Sequence, residues 1–478
     1  MKKTIYDVII YGGRLSGLLA AALLRDKGAR VLLLNDEGHS KKVTKGYRLD
    51  FQMMPLGNIP DSPVVTNILG RIGMGLSNGD LFHPTRFLFQ IVNEKHRLDI
   101  PWHAGELREE IEREFPGDLE ALLALLDEGD SFREKVTDKD HERDEIFPPY
   151  DLASKLSWKV RGMGKTFHLP EESLKKKLEK AAISEDLKKM TSLALQFTSS
   201  LYAASDKLPC MPLLPRVAGY YPKGGMVGLK KLILSKLEER GVEVEKSSDI
   251  KTISVEKGKV AEITFETKNK KIRTQALIFN TVPSKLADLL PETFFNKPFR
   301  QTLNDYKPWG QWQSLFIGID SDKIPVGMDD NLIVDDEKGS FIIQITPLDE
   351  KGAAPDGKRL VKISRPLAIS ATSENNEEVK AFEDYALEKL KHLIPFTDNK
   401  DLEVIHREKG KPTGTDDYLL DGNIVTPPGI GILSPLSPYK NLFLLGREII
   451  PAFGIEGDFL AADIISHLTL DIISQREK

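Results

Sequence analysis

The sequence predicts an α/β fold: a parallel sheet opened by a βαβ unit and interleaved along the chain with a second α+β region. Three observations predict it. The first is the segment from Asp7 to Asn35, DVIIYGGRLSGLLAAALLRDKGARVLLLN, where an apolar run passes through a glycine-rich turn into an alanine-rich helix and a second apolar run. The second is GYYPKGGMVGL, from Gly219 to Leu229, which opens a helix and is followed by four short runs rich in β-branched residues. The third is NLFLLGREIIPAFGIEGDFLAADIISHL, from Asn441 to Leu468: a strand, a glycine-rich turn and a helix. A chain of 478 residues also exceeds what one hydrophobic core sustains, so two lobes are expected.

In the opening unit, Val8 to Tyr11 reads as a buried strand, Gly28 as a helix stop and Val31 to Leu34 as the second strand. That order and length match the Rossmann pattern, in which each glycine of the turn has a separate task. The first makes the tight turn, the second lets the backbone approach a pyrophosphate, and the third lets helix and strand pack closely. Gly12 and Gly17 hold the first and third places of Gly12-Gly13-Arg14-Leu15-Ser16-Gly17, and Arg14 takes the second. The acid expected at the end of the second strand, for ribose hydroxyls, is Asn35, with Asp36 one place late.

Further along, Gly46 to Phe51 alternates like a strand, and Thr85 to about Leu126 reads as helical with breaks at Pro101-Trp102 and Phe115-Pro116-Gly117. The run DEGDSFREKVTDKDHERDE, from Asp127 to Glu145, reads as a solvated helix face or mobile connector. Leu169 to Lys189 reads as one charged amphipathic helix with Pro170 in its first turn. A helix to about Arg240 ends at Gly241, and strands follow at Val242–Glu245, Ile250–Val255, Val260–Thr267 and Ile272–Asn280. Further strands are expected at Trp309–Ile319, Leu332–Val334, Ser340–Ile345, Leu360–Arg365 and Leu442–Leu445, with helices over Val379–Ile394 and from about Gly457.

Composition narrows the function. A net charge of −5 and a pI near 6.1 give no reason to expect a nucleic-acid partner. The single cysteine, Cys210, excludes an intramolecular disulfide framework, cannot by itself make a zinc site and fits a reducing compartment. The apolar stretch after Gly17 is cut by Arg25, Asp26 and Lys27, so it is neither a signal segment nor a membrane span. A cytoplasmic protein is expected, with peripheral membrane contact needing only a local apolar patch. No H-E-x-x-H, C-x-x-C or G-x-S-x-G is present, and His83, His103 and His406 read as ordinary surface or core histidines. Trp102, Trp309, Trp312 and Phe316 fit an apolar cavity or plain core packing.

Taken together, the segments resemble the phytoene-desaturase and amine-oxidase group of FAD-dependent oxidoreductases over nearly the whole chain. The opening unit is similar to the group's FAD-binding start, GYRLDFQMMPLG to the stretch after it, and YYPKGGMVGLKKLILSKLEERGVEV to its Y-P-x-G-G-M segment and helix. SSDIKTISVEKGKVAEITF resembles the strand pair whose first member passes under the adenine, which puts Ile250 at the cofactor. The C-terminal stretch resembles the motif that holds ribityl and pyrophosphate, which puts Gly446, Arg447, Gly454, Glu456 and Gly457 there beside Gly12, Gly13, Arg14, Ser16, Gly17, Asn35 and Asp36. The resemblance implies a Rossmann-like FAD/NAD(P)-binding domain in three ββα layers, formed by residues 1–60, 216–288 and 425–478. Residues 61–215 and 289–424 would form the α+β substrate lobe.

The chain departs from the group's pattern at the cofactor. Arg14 replaces the close-approach glycine, Asn35 the ribose-binding acid and Arg447 the aspartate after Gly446, and Asp458 replaces a small residue after Glu456-Gly457. Gly38-His39-Ser40-Lys41-Lys42 stands where a G-G-R segment is expected. Two explanations are physically open. Arg14 and Arg447 could pair with the pyrophosphate of a bound FAD, or they could fill its channel and pair with Asp36, Glu448 or Asp458. The first leads to an FAD-dependent oxidoreductase acting on an apolar, isoprenoid- or polyene-like substrate. The second leads to a flavin-free protein of the same fold that binds a lipid or a protein partner, as Rab GDP-dissociation inhibitors of this architecture do. No catalytic residue and no metal ligand is assigned.

Overall fold

The protein is described from a computed structural model. The described residues are 5–35, 43–50, 62–75, 79, 81–85, 87–101, 104–137, 147, 174–199, 201–202, 220–246, 250–266, 270–290, 297–306, 309–368, 376–409, 418–421 and 431–474. Asp36, Trp102, His103 and Cys210 lie outside them.

The strands of the first sheet are β1 (Ile5–Tyr11), β2 (Val31–Asn35), β3 (Glu243–Lys246), β4 (Ile250–Glu256), β5 (Lys259–Phe265), β6 (Lys271–Phe279) and β7 (Leu442–Leu444). Their order is β3-β2-β1-β6-β5-β4, with β7 on β6. β1 is central and runs parallel to both β2 and β6, with Tyr11 opposite Leu34 on one side and Phe279 on the other. β6 is shared: its first residues pair antiparallel with β5, and its last three pair parallel with β7. Val8, Ile9, Ile10 and Leu32 to Leu34 have no exposed surface, as expected of strands covered on both faces. The helices used below are α1 (Leu15–Asp26), α2 (Leu119–Thr137), α3 (Gly225–Glu239), α4 (Asn376–Leu393) and α5 (Gly454–Ser474). α1 packs along α5, which joins the two ends of the chain.

A second sheet of nine strands carries Arg97–Pro101, Phe87–Val92, Asn331–Asp336, Gly339–Ile345, Lys358–Ala368 and Gly310–Asp320 in that order, extended by Tyr418–Asp421 and Leu201–Tyr202, with Glu403–Lys409 also paired on Gly310–Asp320. α4 seats Phe382, Ala386, Leu390 and Ile394 against Ile317, Ile343 and Ile363 of this sheet. In the turn before Asn331, burial pushes the Asp329 carboxyl up to about 7, against the hydrogen bond it accepts from the Asn331 amide. The folded state therefore holds this proton more tightly than the unfolded chain does. Asp329 contributes most fully below the ordinary carboxylate range, and that contribution is lost as pH rises through about 7. Asp329→Asn is expected to flatten the stability-versus-pH curve between roughly pH 4 and pH 7. Urea midpoints at several pH values, natural chain against variant, check this; parallel curves would refute it.

Three sequence expectations are corrected. The stretch from Thr85 to Leu126 is not helical throughout: Phe87–Val92 and Arg97–Pro101 form a strand pair, with Leu88, Ile91, Leu98 and Ile100 buried, before the helices Ala104–Glu114 and α2. Strand pairing within the second sheet won over a helical pattern that spanned both. Leu169 to Lys189 is not one helix. Leu174–Lys180 and Glu185–Thr198 are separate, and Ser184 caps the second by accepting from the Leu187 amide. The charged run after Asp127 is not solvated throughout, since α2 continues to Thr137 and buries Phe132, Arg133 and Val136. Of Gly46 to Phe51 only Tyr47–Arg48 is strand, while Phe51 lies outside the described residues. Among the described residues no helix is long and apolar enough to cross a membrane.

Candidate functional site

The site forms where the carboxyl ends of β1, β6 and β7 meet the N-termini of α1 and α5, the switch-point position where open α/β sheets bind ligands. At the end of β1 the chain turns through Gly12, whose amide donates to the Leu34 carbonyl at 2.8 Å. Gly12 has φ +118°, a conformation that L side chains rarely adopt, and a Cβ there would overlap the Asn280 carbonyl. Gly13 lies against the Asn35 side chain, and Gly17 against that of Asn280.

Asn280, the residue after β6, ties the two motifs together. Its amide donates to the Tyr11 carbonyl at 2.7 Å, and its Nδ2 donates to Ser16 Oγ at 3.0 Å and the Leu445 carbonyl at 2.9 Å. It is wholly buried. Asn280→Ala removes both side-chain bonds and leaves their acceptors without this donor. We expect it to cost about 1–3 kcal/mol, read from urea unfolding; an unchanged midpoint would contradict it.

The charged residues come next. Arg14 precedes α1 in an extended conformation, with φ −64° and ψ 159°. A cation is unfavourable beside the positive end of a helix dipole, and burial adds a desolvation cost. Glu448 offsets both: Arg14 Nη1 donates to Glu448 Oε1 at 2.8 Å, with the two side chains 1% and 2% exposed. Gly446 makes room for this pair, because a Cβ there would overlap a Glu448 carboxylate oxygen and crowd Arg14 Nη1. Arg447 pairs with Asp458 at 3.2 Å, also buried. Arg133 of α2 forks onto Glu456 in the first turn of α5, with Nε to Oε2 at 3.0 Å and Nη2 to Oε1 at 3.1 Å. Three arginines thus meet three carboxylates around the starts of α1 and α5.

The expected residues Gly12, Gly13, Arg14, Ser16, Gly17, Asn35, Gly446, Arg447, Gly454, Glu456 and Gly457 are gathered here, all buried. Ile250 is not with them in sheet order. It opens β4 at the far edge, paired with Phe265, two strands from β6. Arg133 and Asn280 were missed. Arg133 sits in a charged run with no local signal, and Asn280 reads in the sequence only as the end of a strand. His83 contacts Asp349 at 2.9 Å, His406 lies against Phe316, and Trp312 stacks on Phe197.

No family model matches the chain. It is 22% identical over 499 residues to the chloroplastic prolycopene isomerase of Daucus carota, covering 94% of this chain and 77% of that protein. Among solved structures, an oxidoreductase from Methanosarcina mazei superposes with a TM-score of 0.62 at 15% identity, covering 96% of this chain and 99% of that one. Cyclohexylamine oxidase from Brevibacterium oxydans superposes at 0.59 with 14% identity, covering 99% and 100%. Rab GDI from Plasmodium falciparum does so at 0.51 with 13% identity, covering 97% and 98%. The chain has the fold of the phytoene-desaturase and amine-oxidase group. Within this FAD-binding oxidoreductase fold, the expected neighbourhood of the first and last motifs is borne out by the Arg14–Glu448 contact.

The arrangement at those motifs does not fit FAD. A channel for a dinucleotide would leave its walls exposed, whereas the residues from Gly12 to Leu24 and from Leu442 to Ile465 are buried throughout. The place of the close-approach glycine holds a buried guanidinium already engaged by the Glu448 carboxylate, so this pair occupies the approach that a pyrophosphate would need.

Proposed function

We propose that this chain is a flavin-free protein on the flavoprotein fold, which binds an apolar or lipid-bearing partner rather than turning over a redox cofactor. One observation carries the reading: the buried Arg14–Glu448 pair stands where a dinucleotide's phosphates would approach the first turn. The divergence at Arg14, Arg447 and Asp458 is then one coordinated exchange of cofactor contacts for protein ion pairs. The class of ligand rests on likeness alone: a carotenoid-named isomerase and a Rab GDI lie among the relatives. The division into residues 1–60, 216–288 and 425–478 against 61–215 and 289–424 belongs to the same reading, with the second part presenting the binding surface.

The second reading is an FAD-dependent oxidoreductase acting on an apolar, isoprenoid- or polyene-like substrate. What favours it is the survival of the turn itself: Gly12 keeps its place at the end of β1, and Gly17 and Gly457 keep theirs in the first turns of α1 and α5. Arg14 would then have to leave Glu448 for a phosphate. The two readings part on colour. Protein purified in excess FAD and desalted is expected to show no absorbance at the flavin band. Stoichiometric flavin released on heating would end the first reading and establish the second.

A further inference from the structure

The three ion pairs are placed as fasteners between segments that sequence separates widely. Arg14–Glu448 joins the first motif to the last, Arg447–Asp458 joins the turn after β7 to α5, and Arg133–Glu456 joins α2 to the start of α5. All six side chains are nearly or fully buried, and the charges sum to zero. In a dinucleotide-binding fold those same segments converge on the cofactor's diphosphate.

We propose that this network has taken over the fastening role of a nucleoside diphosphate, and that Arg14–Glu448 and such a diphosphate compete for one volume at the start of α1. The inference rests on the flavin-free reading above and adds the reason for it: the site is held shut by a specific pair, not worn away. Its glycine turn, the N-termini of α1 and α5 and Asn280 are all retained beside that pair. Removing both charges together should therefore uncover a diphosphate site, whereas removing one leaves a buried charge without its partner.

The test compares the natural chain, Arg14→Gly, Glu448→Ala and the paired variant by thermal melting, with ADP, FAD and riboflavin as probes. Each single variant should melt lower than the natural chain, and the paired variant should melt above Glu448→Ala. ADP and FAD should raise the melting temperature of the paired variant, while riboflavin, which lacks the diphosphate, should not. A folded paired variant that ignores ADP and FAD overturns this proposal while leaving the flavin-free reading standing. A natural chain that is itself stabilised by FAD overturns that reading instead. Should the paired variant fail to fold, the reversed pair Arg14→Glu with Glu448→Arg measures the same coupling. It should be more stable than either reversal alone, and additive losses would refute the fastening role.

Discussion

Replacing Glu448 by alanine is expected to destabilise the protein by on the order of 3–5 kcal/mol. The cost does not come from the value of the ion pair itself, which desolvation largely cancels in a buried site. It comes from what is left: the Arg14 guanidinium, 1% exposed, would stay beside the N-terminus of α1 without the carboxylate that offsets its charge. Glu448→Gln should cost less, because the amide oxygen still accepts from Arg14 Nη1. Chemical denaturation of the two variants checks the ranking. Equal and small losses would mean that the pair is solvated rather than buried.

A second large effect is expected at Gly12. An alanine there meets two penalties at once. Its φ of +118° lies outside the regions open to L side chains, and its Cβ would overlap the Asn280 carbonyl at the end of β6. Backbone strain of this kind costs about 1–3 kcal/mol and forced overpacking a similar amount. We expect Gly12→Ala to lose on the order of 2–5 kcal/mol, while Gly28→Ala, with a positive φ but open space around it, should lose only the smaller, conformational part. Urea unfolding of both variants separates them. If they lost equally, the contact with Asn280 would not be the cause.

Much of the fold was legible in the sequence because it is written locally. The unbroken apolar runs at Val8 to Tyr11 and Val31 to Leu34 can only be strands buried on both faces, and Gly12, Gly28 and Gly241 each sit where a positive φ is needed. Those signals need no knowledge of distant residues, and the structure places them at the expected ends of β1, α1 and α3. Local reading failed where two patterns compete over one stretch. From Thr85 onward a strand pair precedes the helices, and only pairing within the second sheet selects strand over helix.

The site divides in the same way. Residue order alone places Arg14, Asn35, Arg447 and Asp458 at a dinucleotide turn and marks them as departures from its chemistry, because each replaces a residue whose role follows from its position in the motif. It also named Glu448 and Asp458 among the acids available to the arginines, but offered no means to choose between them and a bound phosphate. The pairing itself follows from how the folded chain packs. Glu448 lies 434 positions from Arg14 and reaches it because β7 docks on β6 beside β1; Arg133 reaches Glu456 across 323 positions because α2 packs against the start of α5. Charge pairing falls off within a few ångströms in a way no spacing along the chain records. What the arginines hold is therefore fixed by the packing of the two chain ends, and not by the motifs they interrupt.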